Sequence, residues 1–197
     1  MPKRKLQLIK GGYYHIYNRG AGRQSIFYQD ENYRYLLGLL KKVVVECQLT
    51  IIAYCLLPNH YHWLVRQDGD TPVSSLPQRV FGSYSQAFNR MYDRTGTLFE
   101  GPYEAIRVES DEYLRHLCRY IHVNPVRHGL ALAPELWPYS NYLEWIGQRP
   151  GTLVDHFFVK RHFATPQDYI AYVNSYLTGQ VQLPNGFRTY LENSDIK

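Results

Sequence analysis

Hydrophobic and polar residues along this chain fall into short blocks with two different periods. Tyr13-Tyr14-His15-Ile16-Tyr17 is extended and lies between Gly11-Gly12 and Asn18-Arg19-Gly20, the punctuation expected around a strand. Asp30-Glu31 then opens a helix with negative charge in its first turn. Leu36, Leu37, Leu39, Leu40, Val43 and Val44 supply that helix's apolar stripe. Residues 50–57 are continuously apolar, as in a central strand, and Pro58-Asn59 makes a tight turn before a further strand over 60–66. A helix over about 75–93 carries Val80, Tyr84, Phe88 and Met91 on one stripe. Residues 98–108 read as a fourth extended segment, broken at Gly101-Pro102. Ser110 caps a third helix bearing Tyr113, Leu114, Leu117, Tyr120 and Ile121. That helix is expected to end near Asn124, because a residue before proline avoids helical dihedrals.

The order strand, helix, strand, strand, helix, strand, helix suits an α+β sandwich, a mainly antiparallel sheet of four strands with helices packed on it. Beyond Leu130 the chain turns rich in Pro, Trp and Tyr, with short helices expected around 140–146 and 166–177. The division expected is a core domain over 1–130 and an extension over 131–197, packed on it or trailing from it.

Charge adds a direction to this picture. Residues 1–130 hold 17 Lys and Arg against 11 Asp and Glu, a net of +6, while 131–197 hold 5 against 6. A polyanionic partner fits a positive surplus confined to the first two thirds. Lys3, Arg4 and Lys5 open the chain as a possible phosphate-contacting arm, with a solvated tail as the plainer reading. Cys47, Cys55 and Cys118 show no metal-ribbon or disulfide spacing and fit a reducing cytoplasm. The longest apolar run, 51–57, is too short to span a bilayer, and no apolar core follows the N-terminal charges, so neither a membrane partner nor a secretory signal is expected.

Chemistry concentrates at two places. In Pro58-Asn59-His60-Tyr61-His62-Trp63 the two histidines stand at i and i+2 of a strand and so share a face, while Tyr61 and Trp63 turn into packing. Adjacent imidazoles suit a divalent metal. Tyr120 and Asn124 lie four apart on one helical face. Asn124 could add an amide oxygen to a metal on His60 and His62, an N2O set that suits Mg²⁺ or Mn²⁺ as well as Zn²⁺. Tyr120 would then face whatever the metal polarises. A phenol with a pKa of about 10 needs such help to attack a phosphate. Tyr113 is a rival nucleophile seven residues earlier. His15, His116 and His122 could be ligands or proton carriers, or simply structural or DNA-contacting. Arg19, Arg23, Arg115, Arg119 and Arg127 are candidate phosphate contacts, each also readable as solvated surface.

Two segments carry a resemblance. Cys55-Leu-Leu-Pro-Asn-His-Tyr-His-Trp-Leu-Val65 and Arg119-Tyr-Ile-His-Val-Asn-Pro-Val-Arg-His-Gly-Leu130 resemble the single-tyrosine HUH transposases, most nearly the REP-associated tyrosine transposase branch. Residues 83–99 and 13–20 are similar to that family's middle helix and first strand, so the likeness spans roughly 11–145. Pro102 departs from it, where such sequences often carry a basic residue. The resemblance implies a ferredoxin-like catalytic domain that nicks single-stranded DNA beside a hairpin and rejoins strands. Mg²⁺ or Mn²⁺ on His60, His62 and Asn124 would orient the scissile phosphate. Tyr120 would attack, keep the 5′-phosphate and release a 3′-hydroxyl. Monomeric and homodimeric arrangements both fit. Two other readings stand beside it. One is a non-catalytic binder of structured single strands, the other a metallo-phosphodiesterase using water in place of Tyr120.

Overall fold

A computed structural model describes residues 8–180 of the chain. The elements run β1 (Tyr13–Arg19), α1 (Asp30–Glu46), β2 (Leu49–Leu57), β3 (His60–Gln67), α2 (Ser75–Met91), β4 (Glu104–Val108) and α3 (Asp111–Arg127). They continue with α4 (Tyr142–Trp145), α5 (His156–His162) and α6 (Pro166–Leu177). The sheet order is β2-β3-β1-β4 and every neighbouring pair is antiparallel. This is the ferredoxin-like α+β sandwich expected from the sequence.

Strand alternation sorts the side chains into two cores, one on each face of the sheet. Tyr61, Trp63 and Val65 join Leu36, Leu40, Val80 and Phe88 beneath α1 and α2. Leu64 lies in the opposite core with Leu114, Leu117 and Ile121 of α3. Because successive strand residues face opposite ways, His60 and His62 share Leu64's side and face α3. Trp63 stacks on Phe81 at 5.0 Å and Tyr61 tilts against the same ring at 4.5 Å, so both are core residues.

Three details differ from the sequence reading. First, α3 runs through Pro125 to Arg127 instead of stopping near Asn124. Proline removes one intrahelical bond, but here the loss falls in the last turn. There the His128 N–H donates to Asn124 O at 3.0 Å and the Leu130 N–H to Pro125 O at 2.8 Å. Second, the fourth extended segment pairs as a strand only over Glu104–Val108, with Phe99 held by an isolated bridge to Gly20. Third, α5 was not foreseen. Asp155 caps it by accepting from Phe158 N at 2.9 Å, and Phe158 and Val159 are its buried residues. Helix α6 falls where the pattern placed it, with Thr165 and Asp168 forming a capping box.

The segment after Leu130 packs closely on α3. Tyr142, Trp145, Phe158, Tyr169 and Val173 share a core with Leu117 and Ile121. Among the described residues no helix is long and apolar enough to cross a membrane.

Candidate active site

Strand register builds the floor of the site. His62 pairs opposite Cys55 on one side and Tyr17 on the other, and Tyr17 in turn pairs opposite Glu104. His60 lies one row further out, between Leu57 and Arg19. His15 lies one row further in, opposite Leu64. Cross-strand partners share a face, so Tyr17, His15, His60 and His62 crowd together beneath α3. Tyr17 and His15 lie 5.8 and 5.2 Å from His62, ring to ring.

Helix α3 forms the roof. Tyr120, Asn124 and His128 recur every fourth residue, on one stripe. The Tyr120 ring meets His62 edge-on at 5.6 Å. The His128 ring meets His60 at 5.0 Å. Asn124 lies between them on the stripe. It is wholly buried. Its Nδ2 donates to Tyr120 O at 3.1 Å, while its Oδ1 is buried with no hydrogen-bond partner. An unsatisfied buried amide oxygen costs about 1–3 kcal/mol. Tyr61 Oη and Trp63 Nε1 also lack partners, but they face the other core, far from any pair of imidazoles. An orphaned acceptor on the helix stripe that meets both imidazoles is one a divalent cation could satisfy.

Both imidazoles are buried and close together. His60 Nδ1 lies 2.7 Å from Asn59 Oδ1, an atom that only accepts, so Nδ1 carries the proton and Nε2 the lone pair. The two rings are 5.3 Å apart and nearly perpendicular. Burial, reinforced by the neighbouring His15, His60, His128 and Arg127, holds His62 well below the usual histidine range and therefore neutral. Burial lowers His15 to about 3. Burial also pushes the Cys55 thiol up, so the residue opposite His62 stays protonated. Among the described residues no three His, Cys, Asp or Glu side chains form a metal-binding group. The two imidazoles and the amide oxygen of Asn124 are a donor set that would suit a divalent metal.

Tyr120 is 1% exposed, and the Arg127 guanidinium lies 4.9 Å from its ring centroid. Its rival Tyr113 lines a separate depression with Ile106, Arg107 and Val108. Two residues near the histidines were not singled out as site members from sequence: Tyr17, and His128. Alternation along Tyr13, His15 and Tyr17 was the available signal for the first. Burial and then Glu104 raise Tyr17 to about 12, so it remains a phenol.

The remaining candidates scatter. His116 meets Arg119 at 2.6 Å and His122 is enclosed by Tyr169 and Asn141, so neither joins the site. Arg119 is not at the surface, a correction to its reading as a phosphate contact. It is 1% exposed, donates to Tyr172 O at 3.1 Å and lies 4.1 and 4.8 Å from the Tyr172 and Tyr176 ring centroids. Arg23, Arg115 and Arg127 are exposed. Arg19 is half-buried and paired with Glu100 at 2.6 Å. Lys3, Arg4 and Lys5 lie outside the described residues.

Comparisons with known proteins bear on the family and the fold. The REP-associated tyrosine transposase of Escherichia coli (strain K12) is 29% identical over 136 residues, which cover 68% of this chain and 78% of that protein. A solved structure of a REP-associated tyrosine transposase bound to a REP hairpin superposes with a TM-score of 0.61 at 23% identity. The match covers 79% of this chain and 94% of that one, and bears on the fold. The family model for IS200-like transposases matches residues 9–124, from just before β1 to the asparagine of the α3 stripe; this chain belongs to the IS200-like transposase family.

Proposed function

We propose that this chain is a metal-dependent single-strand DNA endonuclease and strand transferase acting beside DNA hairpins. One observation carries the proposal. The α3 stripe sets Tyr120 against His62 and His128 against His60, with the orphaned Oδ1 of Asn124 belonging to the residue between them on that stripe. His60, His62 and Asn124 would hold Mg²⁺ or Mn²⁺, which when bound supplies Lewis-acid polarisation of the scissile phosphate. Tyr120 Oη attacks phosphorus and gives up its proton. The bond to the 3′ oxygen breaks, that oxygen takes up one proton in exchange and leaves as a hydroxyl, and the 5′-phosphate stays on Tyr120. Reversal by another 3′-hydroxyl rejoins strands. The exposed Arg23, Arg115 and Arg127 are suited to phosphates, and Arg19 becomes so if its pairing with Glu100 opens.

The E. coli relative is a REP-associated transposase and the solved structure carries a REP hairpin, which supports a hairpin-bearing single strand as the substrate here. We assign residues 1–130 to the catalytic domain and 131–197 to the extension. Three buried free cysteines support a cytoplasmic setting. The protein acts as a monomer or homodimer.

The test is a denaturant-resistant protein–DNA adduct from a single-stranded hairpin pool with Mn²⁺, its attachment mapped by mass spectrometry. An adduct on Tyr120 that chelator and His60→Ala abolish supports the proposal. Turnover without adduct, indifferent to Tyr120→Phe, would favour hydrolysis by water. A second reading, a non-catalytic hairpin binder, gains from one fact: Tyr120 is 1% exposed. Tight hairpin binding unaffected by chelator, with no cleavage under any metal, would favour it.

A further inference from the structure

The two site imidazoles are buttressed on the same ring nitrogen by different parts of the chain. His60 Nδ1 donates to Asn59 Oδ1, from the residue just before it in the β2–β3 turn. His62 cannot use its neighbours this way, because Tyr61 and Trp63 face the opposite core. Its Nδ1 instead lies 3.0 Å from His15 Nε2, on β1. The rings are 5.2 Å apart and inclined by only 21°. Both side chains are essentially inaccessible, at 0% and 1% exposure. His15 is diagonal to His62 in the register, since His15 pairs with Leu64 and Tyr17 with His62.

We propose that His15 is a positioning residue whose Nε2 accepts the Nδ1 proton of His62, fixing the tautomer and ring plane that present His62 Nε2 to a divalent metal. This rests on the metal site proposed above and deepens it. Two imidazole nitrogens facing each other at 3.0 Å hold one proton between them, so two hydrogen-bonded arrangements exist. If His15 donates, the His62 proton is on Nε2 and that nitrogen cannot bind a metal. If His62 donates, its Nε2 carries the lone pair, matching the tautomer that Asn59 imposes on His60. Partners of this kind raise ligand basicity and hold the ring, and losing one typically weakens metal binding about 10- to 100-fold.

The experiment uses the full chain and Mn²⁺ as probe. Histidine ¹⁵N NMR on the metal-free wild type reports the tautomers directly. The expected result is a proton on Nδ1 of both His62 and His15; a proton on Nε2 of His62 overturns the proposal. Mn²⁺ affinity, read by electron paramagnetic resonance titration, should fall about 10- to 100-fold in His15→Leu. It should recover to within a few fold in His15→Gln, whose amide oxygen can still accept. Thermal melting without metal reports whether each variant folds. Unchanged Mn²⁺ affinity in folded His15→Leu, while His62→Ala abolishes binding, sinks the role of His15 alone. A wild type that binds no Mn²⁺ sinks the metal site and the proposal with it.

Discussion

Two buried asparagines, Asn124 within α3 and Asn141 after it, are used in opposite ways. Asn141, in the segment after the third helix, is wholly buried and fully engaged. Its Nδ2 donates to Ile52 O and Leu153 O at 3.0 and 2.9 Å. Its Oδ1 accepts from Tyr54 N–H and from His122 Nε2 at 2.8 Å each. The Tyr169 hydroxyl then donates to His122 Nδ1 at 2.5 Å, so both ring nitrogens are occupied. Asn124 is as deeply buried, yet one acceptor is left over. A satisfied buried network rigidifies a fold, whereas an unsatisfied one costs stability and asks for a missing partner. The first cluster is architecture that ties the C-terminal segment to β2 and α3. The second leaves one buried acceptor open, at the place proposed for a metal. His122 and His60 are similar by residue type and burial; only their partners separate them.

The largest effect that would sharpen this contrast is on Tyr120. Tyr120→Phe should abolish the covalent adduct, a loss on the order of a thousandfold or more in cleavage, while the melting temperature stays near that of wild type. Denaturing gels and calorimetry read the two quantities. Survival of the adduct would remove Tyr120 from the site.

Asn141→Ala should act on stability instead. It strands the Tyr54 N–H and His122 Nε2–H together, and we expect a cost of about 3 kcal/mol in urea unfolding. Mn²⁺ affinity of the folded fraction should be unchanged. A stability loss below about 1 kcal/mol would mean that this network is not the tie it is taken to be.

Asn124→Ala is the mirror experiment. It removes an orphaned acceptor and one bond to Tyr120 O, so stability should move by no more than about 1 kcal/mol. Mn²⁺ affinity should drop at least about tenfold, and Asn124→Asp should restore or exceed it. Equal affinities in all three proteins would break the comparison at its centre.

The smallest effect is a pH dependence on the other side of α3. Burial first, and then the Arg119 and Arg115 guanidiniums, lower His116 to about 4. The unfolded chain takes up its proton near pH 6.5, the folded chain only near 4. Below 6.5 the unfolded state therefore binds more protons, and stability falls with pH until about 4. His116→Gln should flatten that segment of the stability–pH curve; an unchanged slope would assign it to other groups.

Much of the site was legible in residue order. Period two over residues 60–66 placed both histidines on one face and sent Tyr61 and Trp63 to packing, and the structure agrees. The four-residue interval between Tyr120 and Asn124 placed both on one stripe. The burial of Arg119 was not legible, because the tyrosines that enclose it lie more than fifty positions away. Neither was α5, a short helix whose Asp155 cap also pairs with Arg66 at 2.7 Å across the fold.

Local spacing decides what a strand or helix does to its own side chains, because the periods of 2 and 3.6 are properties of the backbone. The pattern of this chain was therefore enough for the four strands, the three main helices and the side chains that share a face. Backbone hydrogen bonds between strands carry no side-chain label, so no local rule brings β1 beside β3 or aligns Tyr17 with His62. That register puts His15 against one imidazole, and the packing of α3 on the sheet buries the oxygen of Asn124 without a hydrogen-bond partner.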